Sequence, residues 1–128
     1  MSKKTIIKKV VVDFVARGTN ESEWLVVLVE QLDAGAVGDI SRFLNRLQDR
    51  LYDCLDAILD GSLADRYPET LNNKVIIRVD CYNAPEDDVL VFFNAFSSGV
   101  LKIPDYSAAL EDNAFVSNVA FQINFDNA

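Results

Sequence analysis

Histidine is absent from the chain. Imidazole titrates near neutrality, so its absence removes the commonest general base, the commonest metal ligand and the usual pH switch. Cysteine is scarce as well, with only Cys54 and Cys81 present. A structural zinc site draws four ligands from Cys and His, and a catalytic thiol needs a neighbour that stabilises its thiolate, most often histidine. Thiol, zinc and imidazole chemistry therefore fall together, and the two cysteines read as core residues. The five glycines are scattered, and none forms G-x-G-x-x-G or a Walker pattern that would cradle a phosphate. The expectation is a protein with no cofactor and no metal.

Long apolar runs are also missing. Lys8, Lys9 and Asp13 interrupt the N-terminal one, which therefore lacks the uninterrupted core of a secretory signal. No stretch approaches the roughly twenty residues needed to span a bilayer. These absences lead to the expectation of a cytoplasmic protein with reduced thiols and no membrane partner.

What the chain does have is acid. Twenty carboxylates stand against twelve basic residues, for a net charge of −8 over 128 residues. Four of the basic residues are Lys3, Lys4, Lys8 and Lys9, and beyond Ile76 only Arg78 and Lys102 oppose eight carboxylates. Affinity for nucleic acid comes largely from Lys and Arg replacing counterions at phosphates, so nucleic acid is excluded as a partner. Such a field attracts basic surfaces instead. Half the residues are apolar, and the length fits one domain spanning residues 1–128 with a single core.

Periodicity organises this core. Thr5 to Ala16 alternates as a strand with a wet outer face, and Glu23 to Leu32 is apolar on both sides, the mark of a central strand. Asp39 is a good N-cap for a helix in which Ile40, Phe43, Leu44, Leu47, Leu51, Cys54, Leu55 and Ile58 recur at three-four spacing. That helix runs to the break at Gly61, roughly 31 Å at about 1.5 Å per residue. Lys74 to Tyr82 alternates as a strand, Asn83 to Asp87 has turn chemistry, and Asp88 to Phe96 reads as a second strand apolar on both faces. Val100 to Ile103 suggests a short strand, Tyr106 to Leu110 a helical turn, and Ala114 to Phe125 a half-exposed strand. The predicted fold is α+β: a mostly antiparallel five-stranded sheet in β-β-α-β-β-β order, with one long amphipathic helix across one face. One helix leaves the second face uncovered, to be closed by Val100 to Leu110, by a second copy or by another protein.

The candidate site residues are all acidic save one. At about 100° per residue, Asp49, Asp53, Asp56 and Asp60 share a sector of roughly 60° opposite the apolar stripe. The bland reading is a solvated face with pairs such as Arg46 to Asp49 and Arg50 to Asp53. Glu86, Asp87 and Asp88 form the densest cluster, placed on a hairpin tip without the register of a calcium loop. Tyr106, in the segment expected to cover the second face, is the candidate exposed anchor. Asp13, Glu30 and Asp80 lie on or beside strands, with nothing in their spacing to bring two together as an acid pair.

In size, acidity and compactness the chain resembles bacterial immunity proteins that neutralise nuclease toxins, a resemblance that implies an acidic surface matched to a basic nucleic-acid groove. It is similar also to the small acidic chaperones of bacterial secretion systems, although those begin with a helix. The leading expectation is a non-enzymatic module docking a basic protein through the Asp49 to Asp60 ridge and the Glu86 to Asp88 turn. The alternatives are a homo-oligomeric or chaperone-like module, a homodimer through the second sheet face, and a carboxylate enzyme or small-ligand binder.

Overall fold

The computed structural model describes residues 12–18, 20, 22–32 and 40–126. The N-terminal part of the first predicted strand and the Asp39 cap lie outside them. The chain forms β1 (Phe14–Arg17), β2 (Glu23–Gln31), α1 (Ile40–Leu59), α2 (Ser62–Arg66), β3 (Asn73–Tyr82), α3 (Glu86–Gly99), α4 (Pro104–Leu110) and β4 (Val116–Asp126). Short 3-10 turns occupy Pro68–Thr70 and Val100–Lys102.

β1 and β2 form a hairpin. Gly18 N–H donates to the Glu23 carbonyl at 2.8 Å, and Asn20 Oδ1 accepts from both Ser22 N–H and Ser22 Oγ. A Cβ on Gly18 would stand 2.6 Å from that of Glu23, so the close strand crossing requires glycine here. The sheet order is β1-β2-β3-β4. β1 runs antiparallel to β2, whereas β2 with β3 and β3 with β4 are parallel.

The α+β class therefore holds, but the five-stranded antiparallel sheet does not. The described sheet is four-stranded and mixed, and the error traces to Asp88 to Phe96, which belongs to α3. Nine residues apolar on both sides fit a buried strand and a buried helix equally well. Three acidic residues after Pro85 decide the matter: Glu86, Asp87 and Asp88 fill the first turn of α3, where the positive end of the helix dipole favours carboxylates. Val89, Phe93 and Phe96 then face the core while Val91 is 72% exposed. Val100 to Lys102 is likewise a 3-10 turn and not a strand.

Parallel neighbours need crossovers, and α1 and α3 supply them. Both crossovers step the same way along the sheet, so with one hand their helices share one face. Ring contacts confirm it: Tyr52 of α1 meets Phe96 of α3 with centroids 5.1 Å apart, and Phe96 meets Phe121 of β4 at 5.8 Å. Val26, Leu28, Val75, Ile77 and Val79 rise from the sheet to meet Phe43, Leu47, Leu51, Leu55 and Ile58 of α1, all fully or nearly fully buried. Cys54 and Cys81 lie in the same core, as expected. Gly61 ends the α1 segment at φ 92°, where a Cβ would lie 2.7 Å from the Phe115 ring.

Candidate functional site

α1 turns its buried stripe to the sheet and leaves the opposite face to water. Asp49, Asp53 and Asp60 are exposed on that face, as the helical spacing predicts, and Asp56 is half-buried. The cause of the difference is α4. Pro104 opens this short helix, and it packs back on α1 so that Tyr106 stacks on Tyr52, with centroids 6.0 Å apart and planes 25° from parallel. The Tyr106 hydroxyl donates to Asp56 Oδ1 at 2.7 Å. Burial, then this hydrogen bond and the neighbouring carboxylates, push the phenol pKa well above its ordinary value.

Between the two helices lies a shallow groove of about 440 Å³, walled by Leu59, Tyr106 and Ala109 and rimmed by Asp56, Asp60 and Asp105. The lower half of the predicted ridge is thus one side of an acidic groove. Asp105 is the groove residue that sequence reasoning missed; its signal was its place beside Tyr106 after Pro104, on a predicted helical turn. Tyr106 itself is not the exposed anchor predicted. It is half-buried on the helical side, and the Val100 to Leu110 segment packs there instead of covering the second sheet face.

Glu86, Asp87 and Asp88 are exposed, on a helix start and not on a hairpin tip. Phe96, which touches Tyr52, lies eight residues beyond Asp88, about 12 Å along α3, so the trio stands at the far end of α3 from that contact. The two acidic patches share a layer without forming one cluster.

The structure gathers a third charged group that sequence spacing did not reveal. Arg46 and Arg50 turn toward the sheet, not toward Asp49 and Asp53. Arg46 reaches Glu30 Oε1 at 3.2 Å, and Arg50 Nη1 donates to Glu30 Oε2 and to the Val29 carbonyl. Arg50 Nη2 also pairs with Asp13 at 3.1 Å, and Asp13 accepts the Val29 N–H. Glu30, only 4% exposed, has both oxygens engaged. Burial opposes the ionised form of Asp13, yet the Val29 N–H and the Arg50 guanidinium outweigh it and hold the carboxyl below its usual value. Two acids and two arginines balance in charge, so this group ties β1, β2 and α1 together and adds nothing to the acidic field.

Burial drives both thiols up to about 12, the opposite of what a nucleophilic cysteine requires. Among the described residues, no three metal-ligating side chains gather, and no helix is long and apolar enough to cross a membrane. On the second sheet face Phe14 is 46% exposed and Val29 37%, beside half-buried Leu25 and Ile76 and the Arg78–Asp80 pair at 3.1 Å.

The fold and the groove together define a two-layer protein: a mixed four-stranded sheet backing one helical layer that carries the acid. The chain has no significant match to any family model, curated protein or solved structure.

Proposed function

We propose that the chain is a non-enzymatic binding module whose helical layer docks a basic protein. The observation that carries this reading is the joining of Asp56 and Asp60 with Asp105 around Tyr106, with exposed Asp49 and Asp53 continuing the same ridge. An apolar and aromatic wall beside carboxylates suits the stem and the head of lysine or arginine side chains at once. The Glu86 to Asp88 turn lies in the same helical layer, and we include it in a contact of ordinary size, which covers roughly 800 Å² on each partner. An immunity-type inhibitor of a nuclease-like toxin is the form of this reading that the acidity favours, because a nucleic-acid groove is basic.

The groove rim carries three carboxylates, and an enzyme of the carboxylate type would need two of them as a pair. Asp56 Oδ1 is committed to the Tyr106 hydroxyl, however, and the recess is shallow.

The test is capture from lysate on the immobilised chain at low and at high salt, using wild type and Asp49→Lys/Asp53→Lys, with mass-spectrometric identification. The expected result is a discrete basic protein, held at low salt, released at high salt and lost with the charge reversal. Retention indifferent to both salt and charge reversal contradicts the reading.

A further inference from the structure

β1 starts only at Phe14, and β2 shows why. In the antiparallel register Val29 would oppose the residue before Asp13, yet both of its backbone groups are engaged by side chains. Its N–H donates to Asp13 Oδ2 at 2.6 Å, and its carbonyl accepts from Arg50 Nη1 at 3.0 Å. The ladder along β2 is closed there. Asp13 is tied instead to α1, through Arg50 at 3.1 Å, and Val12 packs against the core between sheet and helices. The chain therefore meets the helical layer at the flank of α1, beside Arg50. Asp49 and Asp53, within one helical turn of Arg50, are exposed. With Asp56 and Asp60 they give this face of α1 a single sign, because Arg46 and Arg50 turn to the sheet.

We infer that residues 1–11 of the same chain dock along this face of α1 and its groove, in the place a basic partner would take. Charge selects this occupant. Residues 1–12 carry Lys3, Lys4, Lys8 and Lys9 and no acid, in a chain of net charge −8. A segment tethered beside the ridge meets it at an effective concentration of millimolar order, which no free partner need match. Reach agrees with charge. Lys8 and Lys9 precede Asp13 by at most about 18 Å of chain, and Lys3 and Lys4 by at most about 36 Å. Along α1, Asp53 lies about 5 Å from Arg50 and Asp60 about 15 Å. Lys8 and Lys9 thus fall to Asp49 and Asp53, and Lys3 and Lys4 reach Asp56, Asp60 and Asp105 at the groove. Ile6 and Ile7, between the two pairs, suit the apolar wall of Leu59, Tyr106 and Ala109. The second sheet face offers no such match, since its Arg78 pairs with Asp80 and its Lys74 with Glu23. On the docking reading above, on which this step rests, the segment is an internal competitor that a basic partner displaces.

The contact is read on the full chain without any partner. Cys54 and Cys81 are buried, so a nitroxide on Thr5→Cys marks one site, and its paramagnetic broadening of backbone amide signals in NMR maps where the segment lies. Signals from Asp49 to Asp60 and from Asp105 to Ala109 are expected to lose most of their intensity at about 0.1 M salt and to regain it at about 1 M salt, where screening is strong. They should also regain it in Asp49→Lys/Asp53→Lys, and on addition of excess tetralysine peptide, the probe for a basic partner. Ile76 and Ala120, on the second sheet face, should stay sharp throughout. Broadening centred on Ile76 and Ala120 overturns the inference, as does no loss along α1, or a loss that salt, charge reversal and tetralysine all leave in place. A basic protein captured by a chain that shows no such broadening overturns this inference and supports the docking reading. Broadening along α1 with no protein captured supports the contact and overturns that reading.

Discussion

Tyr106 and Asp56, fifty residues apart in sequence, are joined by a 2.7 Å hydrogen bond from the phenol to the carboxylate. This contact fixes α4 on α1 and thereby forms the acidic groove.

Tyr106→Phe removes the bond and keeps the ring that stacks on Tyr52. The expected cost is about 1 kcal/mol, because the bond joins a charged acceptor in a half-buried setting. Urea unfolding with an unchanged m-value checks it. The phenol also gives a pH signature. Its folded-state pKa lies above the ordinary 10.0, so its contribution to stability is complete below pH 10.0 and declines as pH rises above that value. Absorbance titration should show one tyrosine ionising late in wild type, and that step should be missing in Tyr106→Phe.

Arg50→Met leaves Glu30 buried with Arg46 alone and Asp13 with the Val29 N–H alone. The expected loss is about 3 kcal/mol, against under 1 kcal/mol for Arg46→Met at a side chain that is 52% exposed. The sign with pH follows from Asp13, whose folded pKa is depressed. Its contribution is present above the ordinary value of 3.8 and is lost as pH falls below it. Arg50→Met, which keeps the Val29 N–H, should weaken that acid dependence without abolishing it, as read from urea midpoints across the acid range.

Cys54 and Cys81 should resist a thiol reagent in the native state and react together once urea unfolds the chain, because both thiols are buried and their pKa values stand near 12. Fast labelling of either one in the folded protein would contradict the packing described.

Asn113→Ala should destabilise by about 2 kcal/mol. Its Nδ2 donates to the carbonyls of Leu59 and Ala109, and its Oδ1 accepts from Phe115 and Val116 N–H, so one side chain pins α1, α4 and the start of β4. Thermal unfolding measures it.

These contacts also mark where the sequence could be read and where it could not. α1, β3 and β4 were legible because each shows one clear period, β2 because a run apolar on both sides suits a central strand, and the exposure of Asp49, Asp53 and Asp60 followed from α1 alone. α3 was not, because Asp88 to Phe96 is apolar on both sides of a strand pattern even though Val91 is exposed in the helix, and such a run fits either element. The acids after Pro85, read as turn chemistry, were a helix start. With that helix misread, the second crossover vanished and the sheet appeared antiparallel. Arg46 and Arg50 were assigned to neighbours on their own helix, since spacing reveals local partners and not Glu30 across the layer. Tyr106 was placed on the wrong side for the same reason.

The central claim is electrostatic docking by the helical layer, and the association rate of the captured basic protein tests it most directly. Stopped-flow rates for wild type and for Asp49→Lys/Asp53→Lys are compared as salt is raised from about 0.1 M to about 1 M, over which the screening length contracts from about 10 Å to about 3 Å. A wild-type rate that falls steeply with salt, together with a variant that is slow throughout and nearly insensitive to it, is the expected result. Equal rates with equal salt dependence would contradict docking through this face.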